Sequence, residues 1–351
     1  IHLPWCVRKC PYCDFNSHAA VNDIPGSEYV DLLLMDLEAE LPLVWGRPVH
    51  SVFIGGGTPS LFDAELIGLL LAGVRARLPL APGAEVTLEA NPGTVEHDSF
   101  KAYRQAGVNR VSLGVQSFDD ESLRKLGRIH GGHEALTAVE QLHGAGLESF
   151  NIDLMFGLPG QTVELAQQDL RQALACQPPH LSRYQLTIEP NTAFHAAPPT
   201  LPPDDDTWLM QERGEELLQR AGLEQYEISA WARPGMECRH NLNYWRFGDY
   251  IGIGAGAHGK LTLAESGEVR RRARQRHPKA WMQAVTDGNS LAEERCLQDK
   301  ELIFEFFLNQ LRLRRGVSKT DFQERTGLAW RKAAKPLAKA LESGLLNEQG
   351  E

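Results

Sequence analysis

An α/β fold built on a parallel sheet is predicted by three observations. Short β-branched apolar runs recur along the chain, each is followed by an amphipathic segment, and the polar residues that interrupt the runs fall near their ends. The runs are IHLPW at the start, then 50–57, 84–92, 110–117, 149–157 and 180–190, six strands in all. The helical segments are 27–42, 63–77, 96–106, 133–145 and 162–175, with Gly107 and Gly146 as stop signals. Near-continuous apolar strands alternating with helices argue for a sheet covered on both faces. Gly57, Glu89, Gln116, Asp153 and Glu189 lie at or near the predicted strand ends. In a β/α barrel those ends converge on one face, where active sites are built.

With 351 residues, 42% of them hydrophobic, the chain can bury one large core and a smaller one. It has no run of 18 apolar residues and no basic-then-apolar leader, so a membrane span is not expected. The chain opens on Ile1 in mid-strand, which implies missing upstream residues and leaves a removed targeting segment open. Six cysteines are too sparse for a disulfide scaffold, so a reducing, cytoplasmic compartment is expected. A formal charge of -10 argues against general nucleic-acid binding. One local exception is Arg270, Arg272, Arg274 and Arg276, which alternate onto one face of a predicted strand. They could meet phosphates, carboxylates or propionates, but a solvated hairpin face is the favoured reading.

Cys6, Cys10 and Cys13, spaced C-x3-C-x2-C, are the strongest chemical signal. Three thiolates can hold three irons of a 4Fe-4S cubane and leave the fourth open to a ligand. Two other readings compete. Cys10 and Cys13 form a C-x-x-C pair of the glutaredoxin kind, and the three cysteines with His18 could form a Cys3His zinc site. Gly55, Gly56 and Gly57 before Thr58 and Pro59 fit a strand end that approaches a ligand closely; they also fit a tight strand-to-helix turn.

Taken together, CVRKCPYCDF, GGGTPS, LEANP, LGVQSF, the arginine of LGRIH and NIDLMFGLPGQT resemble the radical S-adenosylmethionine (SAM) enzymes, specifically the oxygen-independent coproporphyrinogen III oxidase group. The resemblance implies a partial (β/α)6, TIM-like barrel with a 4Fe-4S cluster held by Cys6, Cys10 and Cys13 and SAM on the open iron. It implies further that Gly56, Gly57 and Thr58 line the methionyl end of SAM. Glu89, Gln116, Arg128 and Asp153 would hold its polar groups, and Phe15 would pack near the adenine. These residue types suit the roles: carboxylates accept from hydroxyl and amino groups, and a guanidinium pairs with a carboxylate.

Within that group, the oxidases have a further cysteine two residues after the third, where this chain has Phe15. The run CRHNLNYWRFGDYIGIGAGAHG, with His240, Asn241, Tyr244 and Trp245, resembles the HNxxYW signature of the HemW-type haem chaperones. A neutral imidazole is a good ligand for haem iron, so His240 is the candidate, with Cys238 and His258 secondary. From about residue 292 the composition turns to amphipathic helices with a winged-helix-like rhythm. The resulting expectation is a barrel over 1–235, an HNxxYW and hairpin extension over 236–290, and a helical C-terminal domain over 291–351. The expected function is haem delivery; the alternative is oxygen-independent coproporphyrinogen III oxidation or a related radical reaction on a tetrapyrrole. Implied partners are haem, acceptor haemoproteins, an electron donor and, optionally, a membrane surface touched peripherally.

Overall fold

The computed structural model describes residues 1–20, 23–94 and 99–347. The chain enters as β1 (His2–Leu3) and β2 (Trp5–Cys6), passes through the cysteine loop and returns as β3 (His18–Ala19), parallel to β2. Five units follow: α1 (Gly26–Val44) and β4 (Val49–Gly56); α2 (Ala64–Arg77) and β5 (Leu80–Ala90); α3 (Phe100–Ala106) and β6 (Arg110–Gln116); α4 (Asp120–Lys125), α5 (Gly132–Gly144) and β7 (Ser149–Phe156); α6 (Val163–Ala175) and β8 (His180–Gln185). The helices begin where short polar side chains satisfy free N–H groups. Asp63, Ser99, Asp119 and Thr162 each accept from the backbone three residues on. Gly107, at φ 111°, closes α3 in the left-handed region.

Strands β1, β4, β5, β6, β7 and β8 lie side by side in that order, all parallel, as the repeat predicts. After α7 (Ala193–Ala196) and α8 (Asp204–Arg220), the antiparallel pair β9 (Glu224–Glu227) and β10 (Ala230–Ala232) extends the far edge onto β8. The sheet therefore ends on β1 and β9 as an open, partial barrel. Val52, Ile54, Val86, Leu88, Val111, Leu113, Ile152 and Leu154 are buried in one core with α1 and α2. The alternate residues, including Phe53, Glu89, Ser112 and Asp153, project to the other side of the sheet, into the barrel.

The remaining chain forms α9 (Arg239–Trp245), the antiparallel sheet β11 (His258–Thr262), β12 (Val269–Arg274) and β13 (Leu291–Cys296), with α10 (Pro278–Thr286) between the last two strands. Helices α11 (Asp299–Gln310), α12 (Lys319–Thr326) and α13 (Arg331–Glu342) close the chain around Phe306, Phe307 and Phe322.

Four expectations change. The strand predicted over 180–190 ends at Gln185, because Leu186 makes a last bond to Phe156 and the chain then turns towards Thr192. Glu189 thus leaves the strand-end set and accepts instead from the Thr187 hydroxyl. The helix predicted over 96–106 is seen from Phe100; positions 95–98 lie outside the described residues. The arginine face is solvated only at its ends, at Arg270 and Arg276. Arg274 reaches Asp36 at 3.0 Å and Glu40 at 2.6 Å, and Arg272 reaches Glu40 at 2.9 Å, with both carboxylates buried on α1. The periodicity of β12 is correct, but its partner face is the acidic side of α1 rather than water. Finally, β13 pairs with β12 through Cys296, so this sheet runs past residue 290.

Candidate functional site

Cys6, Cys10 and Cys13 are half-buried free thiols at the end of β2 and in the loop beyond it. The loop is folded on itself: Cys13 N–H donates to Cys10 O at 3.1 Å, and Ser17 N–H to Phe15 O at 2.7 Å. Burial pushes the Cys6 thiol up, opposed by hydrogen bonds from the Thr58 and Ser17 hydroxyls. His18 packs edge-on against His277 at 5.5 Å. Among the described residues no three Cys, His, Asp or Glu side chains gather as a mononuclear zinc site would require.

The glycine run serves the protein's own packing. A Cβ on Gly57 would strike the Trp5 carbonyl, one on Gly56 would lie 2.7 Å from the His2 ring, and one on Gly55 would lie 2.7 Å from the Glu89 carboxylate. These glycines let β1, β2 and β4 close together, so that Thr58 N–H donates to Trp5 O at 2.7 Å beside Cys6.

The strand-end residues do converge. Glu89 Oε2 accepts from Gly56 N–H at 3.0 Å. Burial, then the nearby Asp153 charge, push the Glu89 carboxyl up to about 7. Asp153 is also raised by burial, although Asn151 and Ser112 donate to it at 2.7 and 3.2 Å. Gln116 and Arg128 both crowd Gly114: their side-chain nitrogens lie 3.1 and 3.5 Å from the position of a Cβ there. Gln116 holds φ 71°, a left-handed conformation that costs a non-glycine residue about 1–2 kcal/mol. Such strain marks functional sites. Phe15 is 63% exposed and faces solvent, free to stack on a ligand.

Two tyrosines escaped the sequence reading. Tyr12, between the second and third cysteines, is held up by burial and packs 6.4 Å from Phe194. Tyr184 donates to Gln116 Oε1 at 2.7 Å from the inner face of β8. Tyr12 was legible as an aromatic inside the cysteine motif, whereas nothing local marked Tyr184. His130, which bridges Asn91 Oδ1 and Val115 O at 2.9 and 3.0 Å, anchors the LGRIH segment to the end of β6.

His240 lies elsewhere. Glu85 on β5 accepts from the backbone N–H groups of Arg239 and His240, both at 3.0 Å, and fixes α9 against the barrel floor. The His240 ring stacks on Phe53 at 4.6 Å, meets Tyr244 edge-on at 4.8 Å, and sets Nδ1 3.2 Å from Ser51 Oγ. Burial pushes it down to about 3, so it is neutral. Glu85 and Glu89 are four residues, about 13 Å, apart along β5, so α9 is anchored towards the opposite end of the strand from Glu89, while the His240 ring reaches back to Phe53, level with Thr87. Trp245 turns away, under Arg312 at 4.3 Å. Cys238 is fully buried against Glu85 and pushed up to about 11, whereas His258 is exposed at the start of β11. A cavity of about 600 Å³ beside His240 and Tyr244 is walled in part by the open edge of β4, beneath the short β1.

The residues fit the cluster that the cysteine spacing suggests and the SAM that the resemblance implies. Three thiols lie at the end of β2 and in the loop beyond it. Two buried carboxylates and a guanidinium whose buried Nε lacks a partner stand beside it, as the amino, hydroxyl and carboxylate groups of SAM would require.

Residues 1–173 match the Radical SAM superfamily and residues 297–351 the HemN C-terminal domain. The chain is 54% identical over 348 residues to Heme chaperone HemW of Escherichia coli (strain K12), covering 99% of this chain and 91% of that protein. It is 34% identical over 333 residues to Heme chaperone HemW of Bacillus subtilis (strain 168), covering 93% and 86%. The solved structure of the Escherichia coli coproporphyrinogen III oxidase HemN, a radical SAM enzyme, superposes with a TM-score of 0.82 over 99% of this chain and 83% of that one; at 23% identity this likeness speaks for the fold alone. Identity to HemW proteins over nearly all of this chain, a match to the Radical SAM superfamily and a HemN-type C-terminal domain agree: the chain belongs to the HemW family of the radical SAM superfamily.

Proposed function

We propose that this protein binds haem and hands it to haem-requiring acceptor proteins, using a barrel whose mouth carries a 4Fe-4S cluster and SAM. The observation that carries the reading is His240. The HNxxYW helix is locked into the barrel by Glu85, and its imidazole is held neutral, the form that ligates iron. Ser51 engages Nδ1, which leaves Nε2 as the ligating atom and follows the usual division of labour in metal-binding imidazoles. The family's haem chaperones support the haem half of the reading.

At the mouth, Cys6, Cys10 and Cys13 would hold the cluster, and Thr58 and Ser17 hydrogen-bond the half-buried Cys6 sulfur. When bound, the cluster supplies an open iron for SAM and an electron to it. Gly56, Gly57 and Thr58 shape the methionyl end. Glu89 and Asp153 would accept from the amino and hydroxyl groups of SAM, Arg128 would meet its carboxylate and Phe15 would stack from the solvent side, with Gln116 held by Tyr184. Coproporphyrinogen oxidation is disfavoured by Phe15, which stands where the oxidases carry cysteine. Among the described residues no helix is long and apolar enough to cross a membrane. A reducing, cytoplasmic setting suits the six free thiols and the cluster, and a membrane-bound acceptor would be met peripherally.

The test is an anaerobic haem titration of the reconstituted protein. A Soret band that saturates near one haem per chain, and shifts or weakens in His240→Ala, supports the reading. Absence of the band, or an unchanged titration in His240→Ala, removes its carrier. Protoporphyrinogen formed from coproporphyrinogen with SAM and a reductant would favour the oxidase instead.

A further inference from the structure

Arg128 holds more than the SAM carboxylate that its motif implies. Its Nη1 lies 3.7 Å from Cys10 Sγ with donor geometry, and its Nη2 donates to Gly114 O at 2.6 Å. The second bond fixes the guanidinium plane, so the first is not a rotamer accident. Among the described residues Arg128 forms no salt bridge, and the ionisable groups that favour its charge are Tyr12 and Cys10 of the cysteine loop and Tyr184.

The contact is built from both sides. Arg8, inside the cysteine motif, donates back to the carbonyls of Gly127 and Arg128. Gly127 adopts φ 69°, and a Cβ there would lie 2.7 Å from Pro11 Cδ, so the absent side chain lets the two loops close. Behind them, His130 ties the segment to Val115 on β6. The segment 127–130 is thus a fixed seat for the cysteine loop, and Arg128 is the member that touches a ligating sulfur.

We infer that Arg128 sets the reduction potential of the cluster through an N–H to Cys10 sulfur bond. The inference rests on the cluster reading above. Reduction adds one negative charge to a thiolate-bound cluster. A guanidinium donating to a ligating sulfur stabilises the reduced form more than the oxidised one and raises the potential. An ammonium at the end of a lysine keeps the charge but loses the planar, two-point placement.

The experiment is a dye-mediated redox titration of the reconstituted cluster in wild type, Arg128→Gln and Arg128→Lys, without SAM and without haem, followed by the electron paramagnetic resonance of the reduced form. Omitting SAM separates this role from carboxylate binding. The midpoint should fall in Arg128→Gln and fall less in Arg128→Lys, with iron and sulfide contents equal to wild type. A fully loaded Arg128→Gln cluster that titrates at the wild-type midpoint overturns the inference. If Arg128→Gln does not retain iron, the lysine variant decides: a lowered midpoint upholds the inference and an unchanged one overturns it. A wild-type protein that takes up no cluster would instead sink the cluster reading itself.

Discussion

Replacing Glu89 by glutamine should make the ligand-free protein more stable and a poorer binder of SAM. Glu89 lies beside Asp153 inside the barrel, and its carboxyl is raised from an ordinary 4.5 to about 7. The folded protein holds that proton more tightly than the unfolded chain does. The cost of ionising it is therefore absent below about pH 4.5, grows as the pH rises towards 7, and is complete above 7. At 1.36 kcal/mol per unit the shift amounts to at most about 3 kcal/mol, and some solvent contact reduces it to about 1–3 kcal/mol. Glutamine keeps an acceptor for the Gly56 N–H and removes the charge. Urea denaturation of the reduced, cluster-free protein should show Glu89→Gln more stable than wild type at pH 8, with the difference vanishing near pH 4.5. Equilibrium dialysis of the reconstituted protein should show SAM affinity down about 10–100-fold, since a hydrogen bond to a charged group contributes about 1.5–3 kcal/mol. A variant no more stable than wild type at pH 8, or a stability difference independent of pH, would refute the reasoning.

Asp36→Ala should lose about 3–5 kcal/mol in the same denaturation assay, because it removes one of the two carboxylates that hold the buried Arg274 guanidinium together with the acceptor of Gly254 N–H, Trp281 Nε1–H and the Ser290 hydroxyl; the double variant Asp36→Leu with Arg274→Met should lose less than either single change. Gly127→Ala should cost about 1–3 kcal/mol through its forced φ of 69° and the Pro11 contact, seen as lower iron retention after gel filtration. Cys6→Ser, Cys10→Ser and Cys13→Ser should each diminish the iron–sulfur absorption of the reconstituted protein; full absorption in all three would point to other ligands.

The barrel was legible because apolar, β-branched strands alternate with helices at regular spacing, and the structure lays the six strands in chain order. The candidate site was legible where chemistry is written in a motif. The cysteines, Glu89, Gln116, Arg128 and Asp153 are brought to one end of the sheet, whereas Glu189 is not, because a strand end cannot be read from an apolar run that continues into a loop. Residues placed only by tertiary pairing stayed hidden: Tyr184 is marked by its reach to Gln116, and the antiparallel strands β9 and β10 carry weak, polar sequences. The arginines of β12 show the limit of alternation, which assigns faces but cannot say whether a face meets water or the carboxylates of Asp36 and Glu40. Likewise, the HNxxYW motif singled out His240 but not its place in the fold, which depends on Glu85 of β5 accepting from the first N–H groups of α9.

Haem delivery of the kind proposed requires the mouth of the barrel to be an open cluster site that takes SAM. The electron paramagnetic resonance spectrum of the dithionite-reduced, reconstituted protein, recorded with and without SAM, measures this at the iron itself. The account predicts a change in the cluster signal on adding SAM that is lost or strongly weakened in Glu89→Gln; a cluster signal identical with and without saturating SAM would contradict it.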